Sequence, residues 1–136
     1  MSKSFEHARL LLTKAAEDLY ALERLWQDEQ APVSVIGFHA QQAVEKCLKA
    51  VLAIRAVSYP WTHDLEGLVE IIQDNNIASP PEAERLHHLT QFGAELRYGS
   101  IPAGSEAGPA LDRAWALRCA REVLSWANAI VEKSKQ

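Results

Sequence analysis

One polar stripe interrupts an otherwise apolar stretch between Val35 and Ile54: His39, Gln42, Glu45, Lys46 and Lys49. At about 100° per residue, Gln42, Lys46 and Lys49 share one side of a helix and His39 adjoins them one turn back. Glu45 and Lys49 have the i,i+4 spacing of a favourable ion pair. Two lysines and a histidine so placed can meet the charge of a phosphate, although an ammonium is a point charge without the two-pronged selectivity of a guanidinium. The same residues also fit a solvated helix face, where i,i+4 charge pairs are common.

Two further segments carry candidate chemistry. In Tyr59-Pro60-Trp61-Thr62-His63-Asp64-Leu65, His63 and Asp64 fall at a helix start, where they can orient one another for acid–base work or flank an anion held by free backbone donors. The plainer reading is helix capping with Trp61 as a lid. Arg97 and Tyr98 close a later helix; the guanidinium either neutralises a negative helix end or points into a cleft roofed by the following loop. The ligand-binding candidates are therefore His39, Gln42, Glu45, Lys46, Lys49, His63, Asp64, Arg97 and Tyr98, and the one candidate catalytic pair is Arg97 with His63. No metal site is expected, because His87 and His88 are adjacent and face about 100° apart on a helix. No phosphate-binding glycine loop, nucleophile motif or cofactor fingerprint occurs. Trp115 and Trp126 read as core or interface rather than as platforms for bases.

These residues must be positioned by helices. Phe5, Ala8, Leu12, Ala15, Leu19, Leu22 and Trp26 are spaced alternately three and four apart, which predicts a first helix from about Ser4 to Gln27. Pro32 suits the first turn of a second helix, which ends near Arg55, and so short a connection makes the pair antiparallel. In that second helix Ile36, Ala40, Ala43, Cys47, Ala50 and Ile54 share a seam that Val44, Leu48, Val51 and Leu52 widen past half the circumference, as a central helix requires. Gln41 falls inside the apolar sector, where its amide needs a partner. A third helix is expected from about His63 to Asp74 with Thr62 as cap, and a fourth opening at Ser79-Pro80-Pro81 with Leu86, Leu89, Phe92, Gly93 and Leu96 buried. Residues 99–109, rich in Gly and Pro, read as a flexible loop before a last helix from about Pro109 to Glu132. Nothing alternates with period two, so the expected class is all-α, an up-and-down bundle of four or five helices.

At 136 residues the chain fits one domain, 1–136 with a core from about 4 to 132, large enough to bury roughly two thirds of its unfolded surface without staples. Its net charge of −4 argues against general polyanion binding, so any nucleic-acid contact must be local. Residues 31–58 carry a net of +2 and residues 59–104 a net of −5, placing a mildly basic helix beside an acidic one. Cys47 and Cys119 sit in apolar runs and read as small buried hydrophobes in a reducing compartment. With no signal-peptide core and no membrane-length apolar run, the expected location is the cytoplasm.

Phe38-His39-Ala40-Gln41-Gln42-Ala43-Val44-Glu45-Lys46-Cys47-Leu48-Lys49-Ala50, then Thr62-His63-Asp64-Leu65, then Leu96-Arg97-Tyr98, in this order and separation, resembles the HEPN domain over residues 5–132. The resemblance implies a helical bundle, often dimeric, that pairs with a minimal nucleotidyltransferase in a toxin–antitoxin-like system. Many members are metal-independent ribonucleases marked by an arginine, four to six residues, then a histidine. Here the positions that follow Arg97 at that distance are Pro102, Ala103 and Gly104, and none of the five histidines has an arginine correctly placed upstream. The non-catalytic branch of the family implies instead a module that binds a nucleotide or RNA end, or presents substrate to the transferase. Carried onto this chain, that role falls on the candidate residues above. A purely structural interaction protein is the remaining reading.

Overall fold

In the computed structural model of the chain, which describes residues 2–93 and 110–134, helix α1 spans Lys3–Leu25. It starts where Ser2 accepts a hydrogen bond from the Phe5 amide at 3.1 Å, and it buries Phe5, Ala8, Leu12, Ala15 and Leu22 along one stripe. A short turn leads into α2, Val33–Ile54. Pro32 occupies the cap position just before α2, one place earlier than the expected first turn, and its carbonyl accepts from the Val35 and Ile36 amides. Twelve residues of α2 are buried, and α2 touches every other helical element among the described residues, which makes it the central helix. Each of its fully buried Val, Leu and Ile side chains contributes about 1.5–3 kcal/mol of transfer free energy.

Helix α3 spans Leu65–Asp74, a 3₁₀ segment spans Leu86–Phe92, and α4 spans Arg113–Lys133. Ion pairs Arg9–Glu132 (2.8 Å) and Glu23–Arg121 (2.7 Å) join opposite ends of α1 and α4, so the two run antiparallel. Arg113 closes the α1–α2 corner: its guanidinium donates to the carbonyls of Leu25, Trp26 and Asp28 where α1 ends. Among the described residues there is no strand, and no helix is long and apolar enough to cross a membrane.

Three boundaries differ from the sequence expectation. The fourth helix does not begin at Ser79, whose hydroxyl instead accepts from Gln73 at 3.1 Å. Glu82 has φ of +61°, a left-handed conformation that no right-handed helix passes through, so regular structure starts only at Leu86. Leu86, Leu89 and Phe92 are three apart, and a helix with three residues per turn aligns all three toward the core. Helix α3 starts at Leu65, with Asp64 in the cap position. Thr62 closes a turn ahead of it, its hydroxyl accepting from the Asp64 amide at 3.0 Å. Helix α4 starts at Arg113, where Asp112 accepts from the Trp115 amide at 3.0 Å. The expected loop 99–109, Leu96, and the candidates Arg97 and Tyr98 lie outside the described residues.

Candidate functional site

The polar stripe of α2 resolves into two clusters, each built on one carboxylate. In the first, Asp18 of α1 accepts from Lys46 Nζ at 2.5 Å and from His39 Nδ1 at 3.0 Å. His39 and Lys46 lie seven residues apart, two turns of α2, and Asp18 reaches between them from the neighbouring helix. A carboxylate offers only lone pairs, so the nitrogen facing it carries hydrogen, and Nε2 of His39 has no protein partner among the described residues. Phe38 meets the His39 ring edge-on at 5.4 Å.

The second cluster is more deeply set. Glu45 Oε1 accepts from Gln41 Nε2 at 2.8 Å and His63 Nδ1 at 2.7 Å, while Oε2 accepts from Lys49 Nζ at 2.9 Å. The Glu45 side chain is only 6% exposed, so its oxygens are satisfied by these three donors rather than by water. Gln41, the amide that needed a partner, also donates to the His63 carbonyl at 3.3 Å, and its own oxygen accepts from Gln42 at 2.7 Å. Glu45 and Lys46 are adjacent and point about 100° apart, which turns one cluster toward the 55–64 connection and the other toward α1.

The 55–64 connection supplies an aromatic border. Lys49 Nζ lies 5.9 Å from the ring centroids of both Tyr59 and Trp61, and the Trp61 ring meets His63 edge-on at 5.6 Å. Trp61 is 75% exposed, the most exposed large apolar side chain among the described residues. Behind His63, Gly93 closes the 3₁₀ segment so tightly that an added Cβ would stand 3.3 Å from His63 Cβ and 3.7 Å from the Gln41 amide carbon. Gly37 performs the matching role on α2, where a Cβ would collide with the Phe92 ring at 2.3 Å. Small residues at positions 37 and 93 thus let the 3₁₀ segment press against the site. Thr90 joins in by accepting from the Leu65 amide at 3.3 Å.

A HEPN domain model matches residues 8–132 of this chain. The chain belongs to the HEPN domain family. No curated protein and no solved structure matches it. In this HEPN domain His39, Gln42, Glu45, Lys46, Lys49 and His63 are brought together along one edge of α2, and the stripe is part-buried and paired across elements rather than a solvated face. Asp64 is exposed and does not join either cluster; its carboxylate lies over Gly67 instead.

Asp18, which completes the first cluster, is not singled out by the sequence reading. It stands beside the apolar stripe of α1, and a turn centred near residue 29 sets it opposite about residue 40 of α2. The signal was therefore the hairpin register. Electrostatics follow the burial. Desolvation pushes the Cys47 thiol far above its ordinary range, the Asp18 charge adds to this, and Lys46 opposes it. Cys119 is pushed from 9.0 up to about 12, mainly by burial. Both are buried free thiols. Among the described residues no group of three or more His, Cys, Asp or Glu side chains is arranged to hold a metal ion.

Proposed function

We propose that this HEPN domain is a binding module that holds a nucleotide or an RNA end along the α2 edge, rather than a nuclease of the arginine-to-histidine type. The observation that carries the reading is the pairing of Lys49 and His63 beside the exposed ring of Trp61, with Lys46 and His39 held by Asp18 on the adjoining side of α2. Asp18 and Glu45 fix the orientation of the cations before any ligand arrives. Each ammonium has three donors and gives one to its carboxylate, so two remain for phosphate oxygens. Trp61 offers a base a stacking face, a contact worth about 1–3 kcal/mol. Because each cluster holds its own carboxylate, affinity rests on geometry rather than on net positive charge.

Isothermal titration with adenosine monophosphate and with a short single-stranded RNA tests the reading. Lys49→Ala and Trp61→Ala should each weaken binding by about tenfold, the equivalent of one good contact. Unchanged affinity in both variants would remove the site from consideration, and no binding at all would favour a purely structural role for the ion pairs.

A specific observation supports one alternative. Glu45 holds His63 through Nδ1, and Nε2 has no protein partner among the described residues, an arrangement suited to proton transfer. A metal-independent ribonuclease built on His63, whether or not Arg97 assists, requires RNA cleavage that disappears in His63→Ala and persists in chelator. Intact RNA with the parent protein would end that alternative.

The proposal extends to partners. The domain dimerises and associates in the cytoplasm with a minimal nucleotidyltransferase, as a toxin–antitoxin-like pair. Light scattering of the purified chain and co-purification from the native host address the two statements separately.

A further inference from the structure

Away from the stripe of α2, a cleft of about 390 Å³ lies at the junction of the α1 start with the α2 end. Its rim carries Lys3, Ser4, His7, Ser58 and Tyr59. Its floor is apolar, formed by Ala53, Ala56 and Val57. Although the chain as a whole carries −4, no carboxylate lines this cleft. Every ionisable group on the rim is therefore a cation, a histidine or a phenol.

The donors are also uncommitted. Among the described residues the Lys3 ammonium and the Ser4 and Ser58 hydroxyls have no protein partner. Tyr59 and His7 meet only loosely, with the phenol oxygen 3.5 Å from Nε2. We propose that this cleft binds a small organic oxyanion, a phosphate monoester or carboxylate carried on an apolar body about the size of one aromatic ring. The oxyanion takes hydrogen bonds from the rim while the body covers Ala53 and Val57, the arrangement of few polar groups over an apolar floor that small-molecule sites share. Burial, and secondarily the charge of Glu45, hold the Tyr59 phenol above its ordinary 10.0, so it remains a hydrogen-bond donor throughout the neutral range.

The cleft meets the α2 site only at Tyr59, whose ring borders the Glu45 cluster, and its Lys3, His7 and Ala53 belong to neither cluster, so variants at those positions test the cleft separately. Phenyl phosphate and benzoate serve as probes, with inorganic phosphate and benzyl alcohol as the arms that lack the body or the charge. Two-dimensional amide NMR of the full chain should show saturable shifts centred on residues 3–7 and 53–59 with at least one of the two probes, and weaker binding of both partial arms. The preferred probe identifies the oxyanion.

Ala53→Leu fills the floor without removing any polar group and should weaken the probe by about tenfold, a loss typical of a blocked apolar contact. Lys3→Ala/His7→Ala changes only exposed side chains, so the test survives if the leucine variant folds poorly. It should weaken the probe to a similar degree. The Lys46→Ala protein, altered only at the α2 clusters, should keep probe binding within about twofold. Absence of saturable shifts with both probes, or affinity unchanged in both variants, would overturn the proposal, as would inorganic phosphate binding as tightly as phenyl phosphate.

Discussion

Glu45→Ala probes the structure of the site most severely. The wild-type carboxylate is nearly buried and satisfies Gln41, His63 and Lys49 at 2.8, 2.7 and 2.9 Å. Its removal strands an ammonium whose side chain is 13% exposed, together with an amide donor that has no exposure. Breaking a buried pair from one side costs about 3–5 kcal/mol. Lys49 stands at the margin of the cluster and can swing outward, so the low end of that range, about 3 kcal/mol, is expected.

For a domain of this size that is a large share of a total of about 5–15 kcal/mol. With a urea slope of about 1–3 kcal/mol per molar, the midpoint should fall by about 1–3 M when unfolding is followed by circular dichroism. Glu45→Ala/Lys49→Ala should lose less than the sum of the two single variants, because the uncompensated charge is removed with its partner. A Glu45→Ala midpoint indistinguishable from wild type, or strictly additive losses, would show that the network does not hold the site together.

Ala56 has φ of +57° in a left-handed cap, where the Val57 amide bonds to the Leu52 carbonyl at 2.9 Å. Ala56→Gly should relieve that backbone cost and raise thermal or urea stability by about 0.5–1 kcal/mol. Gly37→Ala gains about 1 kcal/mol of helix propensity but forces a methyl into the Phe92 ring, an overpacking cost of about 1–3 kcal/mol; a net loss in a urea titration is expected. At high pH the Cys119 thiol, held up to about 12, stays protonated in the folded chain after its unfolded counterpart has ionised near 9.0. Stability from this group is full below pH 9 and declines above it by about 1.4 kcal/mol per pH unit, a decline that Cys119→Ala should lessen in urea titrations between pH 8 and pH 10.

The long helices were legible because their burial is periodic: α1 and α2 show unbroken stripes, and the short connection around Pro32 leaves them no choice but to return antiparallel. The fourth element was misread because Ser79-Pro80-Pro81 has the composition of a helix start. The left-handed Glu82 that delays it has no signature in residue type. Its three-residue spacing of Leu86, Leu89 and Phe92 was in view and fits a 3₁₀ segment as well as an α-helix. At the site, the stripe from His39 to Lys49 marked the polar edge of α2. Lys49 meets Glu45 within α2 at the spacing the sequence shows, but the carboxylate that Lys46 and His39 meet depends on register between helices, and that hid Asp18. His63 was found through its neighbourhood, but its partner is Glu45, eighteen residues earlier, rather than the adjacent Asp64.

Binding of adenosine monophosphate or a short single-stranded RNA, followed by isothermal titration with the parent chain and with Lys46→Ala/Lys49→Ala, decides whether the α2 edge is a ligand site. Saturable binding by the parent, weakened by at least about tenfold when both ammonium groups are removed from a protein that still folds, is the expected result. Equal affinity in the two proteins, or no binding by either, would contradict it.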